Sequence, residues 1–123
     1  MSELALIIED DEDLANIFVE ALQGIDYKVE HIADGRKAEE RLKIGDVPYL
    51  ILLDMHLPHL SGGDLLASVI KKDPRYEKTI IIITTADARM GDTYRDDVDF
   101  VLIKPISFVQ LRDITARLRP KPI

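Results

Sequence analysis

Four short apolar runs constrain this chain more than any other feature of it: residues 4–8, 49–53, 79–83 and 100–103. Each is nearly continuous rather than alternating, and rich in Ile, Leu and Val. Runs of this kind suit strands buried on both faces, as in a parallel sheet covered by helices. A fifth run, Tyr27-Lys28-Val29-Glu30-His31-Ile32, alternates apolar and polar residues and reads as a strand at the sheet edge.

Helical patterns separate the runs. Leu14, Ile17, Phe18, Ala21 and Leu22 share one helical face, and Gly24 is placed to end that helix in the usual glycine position. Asp34-Gly35 opens a weaker helix through Ala38 and Leu42 to about Ile44. Ser61 reads as the N-cap of a third helix, which carries Leu65, Leu66, Val69 and Ile70 and stops at Asp73-Pro74. Ser107-Phe108-Val109-Gln110 fits a capping box that opens the last helix, with Leu111, Ile114 and Leu118 inward. The stretch from Asp87 to Asp99 has no clean stripe and predicts a short helix or an irregular loop. Strands and helices thus alternate along the chain. Such alternation implies a parallel sheet with helices on both faces and right-handed crossovers.

Composition narrows the classes. At 123 residues, with 46% hydrophobic and 32% charged residues, the chain reads as one ordinary globular domain. A net charge of −7 argues against non-specific nucleic-acid binding, which relies on Lys and Arg. The absence of cysteine excludes disulfides, thiol catalysis and thiolate metal sites. The longest apolar runs are about five residues, against the ~20 needed to span a bilayer. The N-terminus lacks the basic segment of a secretory signal, so a cytosolic location is expected.

The strand ends carry the chemistry. Glu9-Asp10-Asp11-Glu12-Asp13 follows the first run, Asp54 the second, Thr84-Thr85-Ala86 the third and Lys104-Pro105 the fourth. In a parallel sheet these ends converge on the carboxyl edge, where ligands bind near the switch point in strand order. Carboxylates, a hydroxyl and an ammonium group there are the parts for Mg2+-assisted phosphoryl chemistry. Asp11, Glu12 and Asp13 read as a solvated helix N-terminus, favoured by the helix dipole. Glu9 and Asp10 end the strand itself, and hard oxygen donors in such a mouth suit Mg2+. His56 and His59 have a spacing that can chelate on a helix, but Leu57-Pro58 between them argues against a helix.

Taken in order, Glu9-Asp10, Asp54, Leu57-Pro58, Gly62, Thr85-Ala86 and Lys104-Pro105 resemble the motifs of receiver domains of two-component response regulators, the CheY-like superfamily. The resemblance covers essentially the whole chain. It implies a flavodoxin-like three-layer α/β/α fold with a five-stranded parallel sheet, (βα)5, and a short or irregular fourth helix. It implies a receiver domain over residues 1–119, with 120–123 a tail or the start of a linker. By resemblance, Asp54 is the phospho-acceptor, Thr85 donates its hydroxyl to a phosphoryl oxygen, and Lys104 supplies a cation. Thr84 is the neighbouring hydroxyl. Mg2+, or Mn2+ in its place, would be held by Glu9 (directly or through water), Asp10, Asp54 and the backbone carbonyl of His56. Lys104-Pro105 is expected to be cis. His56 and Asp87 would flank the attacking water and tune phosphoryl lifetime. The implied partners are a sensor histidine kinase or phosphotransfer protein, with an output partner or fused domain that the sequence does not name. Neither nucleic acid nor membrane is expected to be bound directly. The chain would catalyse only its own phosphorylation and dephosphorylation, and so is not read as an enzyme.

Two departures from the family pattern concern output. The residue three before Lys104 is Val101 rather than an aromatic, and Phe100 next to it points to the other sheet face. The interval from Thr85 to Lys104 is also about three residues shorter than in the family, which predicts a truncated fourth helix and a signalling route other than the common dimer of that face. Three rivals fit less well. A haloacid-dehalogenase-like phosphatase carries a second acid where this chain has His56, and is longer. A phosphorylation-independent interaction module would be favoured by loss of Asp10, Asp54 or Lys104, and all three are present. A flavin-binding relative would need a phosphate-cradling first loop, and the acidic run would repel a phosphate.

Overall fold

A computed structural model describes residues 3–119. The strands are β1 (Leu4–Ile8), β2 (Lys28–Ile32), β3 (Leu50–Asp54), β4 (Ile80–Thr85) and β5 (Phe100–Ile103). The helices are α1 (Glu12–Gln23), α2 (Gly35–Lys43), α3 (Gly62–Leu65, continued by a π-helical turn over Leu66–Ile70), α4 (Ala88–Tyr94) and α5 (Phe108–Leu118). Single 3-10 turns cover Pro74–Tyr76 and Arg95–Asp97. All strand pairs are parallel, in the order β2-β1-β3-β4-β5. The edge position expected for the alternating strand is therefore observed. The flavodoxin-like α/β architecture is observed as well, with a short α4.

Two apolar layers sandwich the sheet. Phe18, Ala21 and Leu22 of α1 and Leu111 of α5 pack with Ala5, Ile7, Leu50, Leu52 and Ile82 on one face. Ala38, Leu42, Leu65, Leu66, Val69 and Ile70 of α2 and α3 pack with Leu6, Ile8, Ile51, Leu53 and Ile83 on the other, where Met90 and Tyr94 of α4 join them. Each large aliphatic side chain withdrawn from water contributes about 1.5–3 kcal/mol, so the near-continuous runs are themselves the main source of stability. Among the described residues no helix is long and apolar enough to cross a membrane.

The helix starts follow local chemistry. Asp11, Asp34, Ser61, Asp87 and Ser107 each accept a backbone N–H from the first turn that follows. Helix α1 ends at Gly24, as expected, but not in the left-handed conformation usual for a terminal glycine. Gly24 is right-handed, at φ −64, and its N–H still bonds the Glu20 carbonyl at 3.0 Å. The left-handed residue is Asp26, at φ 71, because helical bonding runs one step further before the chain reverses. Aspartate tolerates that conformation better than most residues. The π turn in α3 arises from the Lys71 N–H reaching the Leu66 carbonyl at 2.9 Å; nothing in the sequence predicts it. Residues 120–123, expected to be a tail or the start of a linker, lie outside the described residues.

Two glycines allow close backbone approach. A Cβ on Gly35 would lie 1.9 Å from the Leu60 carbonyl oxygen, and one on Gly62 would lie 2.2 Å from that of Asp54. These contacts seat the N-termini of α2 and α3 directly against the chain that follows β3.

Candidate functional site

Strand order reverses between β1 and β3, so the crevice above them is the switch point. Glu9 and Asp10 leave the end of β1, Asp54 closes β3, and Lys104 follows β5. Glu9 is 1% exposed and Asp54 2%, while Asp10 is exposed. One carboxylate oxygen from each of Glu9, Asp10 and Asp54 lies within 4.8 Å of the others. Lys104 Nζ is 3.1 Å from Glu9 Oε1 and 3.4 Å from Asp54 Oδ1. The contact with Glu9 is an ion pair without hydrogen-bond alignment, so Oε1 stays buried and unsatisfied.

Backbone bonds set the carboxylates in place. Asp54 Oδ1 accepts the His56 N–H at 3.0 Å, and Glu9 Oε2 accepts the Asp11 N–H at 3.2 Å. His31 Nε2 lies 2.8 Å from the Glu9 carbonyl oxygen. The Lys104 N–H donates to the Thr85 carbonyl at 2.8 Å, and Lys104-Pro105 is cis, as expected.

Two buried carboxylates, Glu9 and Asp54, thus share the ammonium of Lys104. Burial above all, then the hydrogen bond and charge of Asp54, push the Glu9 carboxyl up to about 7, against weaker pulls from the Asp11 N–H and Lys104. Burial alone would lower the Lys104 ammonium, but Glu9 and Asp54 together outweigh it and raise it. An unsatisfied buried oxygen, an all-oxygen donor set and an excess of negative charge fit a hard divalent cation such as Mg2+.

The same proton gives a stability signature. Native Glu9 holds its proton up to about pH 7, whereas the ordinary value is 4.5. The native state therefore binds more protons than the unfolded state across this window, and stability falls as pH rises through it. Thermal melts of the metal-free protein are expected to show a midpoint that declines from roughly pH 5 to pH 7 and then levels. Glu9→Gln should flatten the profile; a midpoint that climbs over the same range would contradict the assignment.

The other sequence-derived residues are only partly gathered here. Thr84 pairs directly with Asp54 across the strands, and its buried hydroxyl has no hydrogen-bond partner. Thr85 alternates to the α4 side. Its hydroxyl oxygen accepts the Asp87 N–H at 3.0 Å and lies 3.8 Å from Met90 Sδ. Among the described residues no hydrogen bond joins Thr85 to Asp54. The Asp87 carboxylate caps α4, accepting the N–H groups of Arg89 and Met90. His56 is exposed, and His59 pairs instead with Asp34, in a left-handed conformation at φ 68. Val101 packs on the α4 face, where a Cβ on Gly91 would come within 2.8 Å of it, so this helix sits unusually close to β5. Phe100 is exposed.

Sequence reasoning did not single out His31 or Met90. Strand alternation puts His31 on the same face as its partner Ile7, and hence as Glu9, but that signal needs the β1–β2 register. Met90 becomes relevant only once α4 is placed.

Fold and crevice together define a doubly wound α/β domain with an acidic, lysine-served pocket at its carboxyl edge. Residues 5–116 match the family described as response regulator receiver domain. The chain belongs to that family, the receiver domains of two-component systems. It is 32% identical to the transcriptional regulatory protein BasR of Escherichia coli, over 93% of this chain and 50% of that protein. It is 25% identical to a probable methanogenesis regulatory protein, FilR2, of Methanothrix harundinacea, over 89% of this chain and 76% of the relative. The chain therefore spans only half the length of BasR. Among solved structures, the receiver domain of sensor histidine kinase PA1611 from Pseudomonas aeruginosa PAO1 is similar at a TM-score of 0.82 and 26% identity, covering 95% of this chain and 97% of that one. That structure has a magnesium ion coordinated in its active-site cleft.

Proposed function

We propose that this chain takes a phosphoryl group from a histidine kinase or phosphotransfer protein onto Asp54, and signals through the resulting change in charge. The observation that supports this best is Asp54 itself, 2% exposed, ion-paired to Lys104 and within oxygen reach of Glu9 and Asp10. A carboxylate so placed is a competent nucleophile toward phosphorus. Its oxygen forms the new O–P bond while the P–N bond of a phosphohistidine breaks; the imidazole nitrogen leaves with the electron pair.

Glu9, Asp10, Asp54 and the His56 carbonyl are the groups that would hold Mg2+. Bound there, the ion neutralises charge shared by the carboxylates and the incoming group. Lys104 would turn from Glu9 toward the phosphoryl oxygens. Thr85 would leave Met90 and donate its hydroxyl to one of them, drawing on the first turn of α4. Phosphorylation adds charge and strong acceptors, and so biases such a local rearrangement. In this reading residues 1–119 are the receiver domain, the setting is cytoplasmic, and output passes to a partner or fused domain.

The test is intact-mass spectrometry after incubation with acetyl phosphate, with and without Mg2+, on wild type and Asp54→Asn. A Mg2+-dependent gain of one phosphoryl group, lost in the variant, is expected. Uptake that survives in Asp54→Asn would remove Asp54 from the role. No uptake from acetyl phosphate or a phosphohistidine donor would favour a phosphorylation-independent interaction module.

His56 and Asp87 are proposed to set the lifetime of the aspartyl-phosphate. His56→Ala and Asp87→Asn are expected to change dephosphorylation severalfold, measured by loss of the phosphorylated mass with time. Asparagine keeps the cap of α4, so folding should change little. Unaltered lifetimes in both variants would end this assignment.

A further inference from the structure

Strands β1 and β2 part just where the acidic crevice begins. Ile7 pairs with His31 and Ile8 with Ile32, and the Glu9 N–H then donates to the Ile32 carbonyl at 3.1 Å. In a continuing parallel ladder the Glu9 carbonyl would next receive the N–H two residues beyond Ile32. That residue is Asp34, which caps α2 instead. The carbonyl is met by a side chain: His31 Nε2, at 2.8 Å. A carbonyl only accepts, so Nε2 carries the hydrogen. His31 thus supplies the missing rung of the ladder at the mouth of the site.

That carbonyl belongs to the peptide that leads into Asp10. Glu9 is held independently, by Ile32, the Asp11 N–H and Lys104. Among the described residues the Asp10 carboxylate has neither a hydrogen-bond nor an ion-pair partner, yet it lies in the same oxygen cluster as Glu9 and Asp54. Its place in the cluster therefore depends on the backbone that carries it. We propose that His31 is a positioning residue, whose Nε2–H fixes the Glu9–Asp10 peptide so that the Asp10 carboxylate faces Glu9 and Asp54 for a divalent cation. This rests on the Mg2+ site of the proposed function. His31 is itself exposed, so its replacement should leave the core intact.

The test is a calorimetric titration of Mg2+ into wild type, His31→Leu and His31→Gln at neutral pH. Glutamine presents an N–H donor of similar reach, and leucine none. His31→Leu is expected to weaken Mg2+ binding about tenfold, as for other groups that orient a metal ligand. His31→Gln should recover most of the loss, with similar metal-free melting midpoints for both variants. Wild-type affinity in His31→Leu would overturn the proposal, and so would a His31→Gln as weak as His31→Leu. The titration needs no phosphoryl donor, so it reports on His31 even if Asp54 takes up no phosphoryl group.

Discussion

Asp54→Asn is expected to melt at a higher temperature than wild type in metal-free buffer near pH 8, while losing all phosphoryl uptake. The gain comes from removing repulsion in a buried cluster. Asp54 is the second cause, after burial, of the upward shift of Glu9 to about 7. Above that pH the wild-type native state holds the Glu9 and Asp54 carboxylates against Lys104 alone. Asparagine removes one charge and leaves Glu9 paired. Relief of this kind contributes on the order of 1 kcal/mol. In a domain of this size that is roughly 5 °C in the melting midpoint. The gain should shrink toward roughly pH 5, because native Glu9 is protonated there already and little repulsion remains to relieve. Calorimetric melts of both proteins at the two pH values measure it. A variant less stable than wild type at the higher pH would mean that attraction to Lys104 and the His56 N–H outweighs the repulsion. Function and stability would thus be opposed at one side chain, as is common where a site concentrates like charge.

Gly62→Ala is expected to be strongly damaging for a single added methyl, because it falls directly against Asp54. Its Cβ would lie 2.2 Å from the Asp54 carbonyl oxygen, 2.7 Å from Met55 Cα and 2.9 Å from the Asp54 carbonyl carbon. All three are backbone atoms, so no side chain can swing aside. Alanine improves helix propensity by about 1 kcal/mol over glycine, but the overlap should cost about 3 kcal/mol or more. Relief requires α3 to lift from the end of β3, which carries Asp54 with it; slower phosphoryl uptake should accompany the lower stability. Gly63→Ala is the control. Its Cβ would meet the Tyr94 hydroxyl at 2.6 Å, the far end of a side chain that can move. Chemical denaturation of both variants separates the cases. Equal losses at the two positions would show that the backbone contact at Gly62 is not decisive.

Much of this architecture was legible because it depends on short-range rules. Near-continuous apolar runs marked the buried strands, and the alternating run marked the edge strand β2. Asp34, Ser61 and Ser107 opened helices where their side chains could take up free N–H groups. The unpatterned stretch after Asp87 became a short α4. The same local logic placed the end of α1 at Gly24 but not its geometry, because one further helical bond moved the left-handed residue to Asp26. It also gave no sign of the π turn in α3.

Sequence by itself determined the α/β alternation, the strand ends and the residue types that those ends present. Periodicity and capping act over a few neighbouring residues, so they can be read along the chain. Tertiary structure alone decided how those residues meet: Lys104 against Glu9 and Asp54, Thr85 turned toward Met90, and His31 under the Glu9 carbonyl. These partners are far apart in sequence, and strand register, helix placement and burial bring them together. Hydrogen bonding and proton affinity depend on distance and desolvation, which the order of residues does not state.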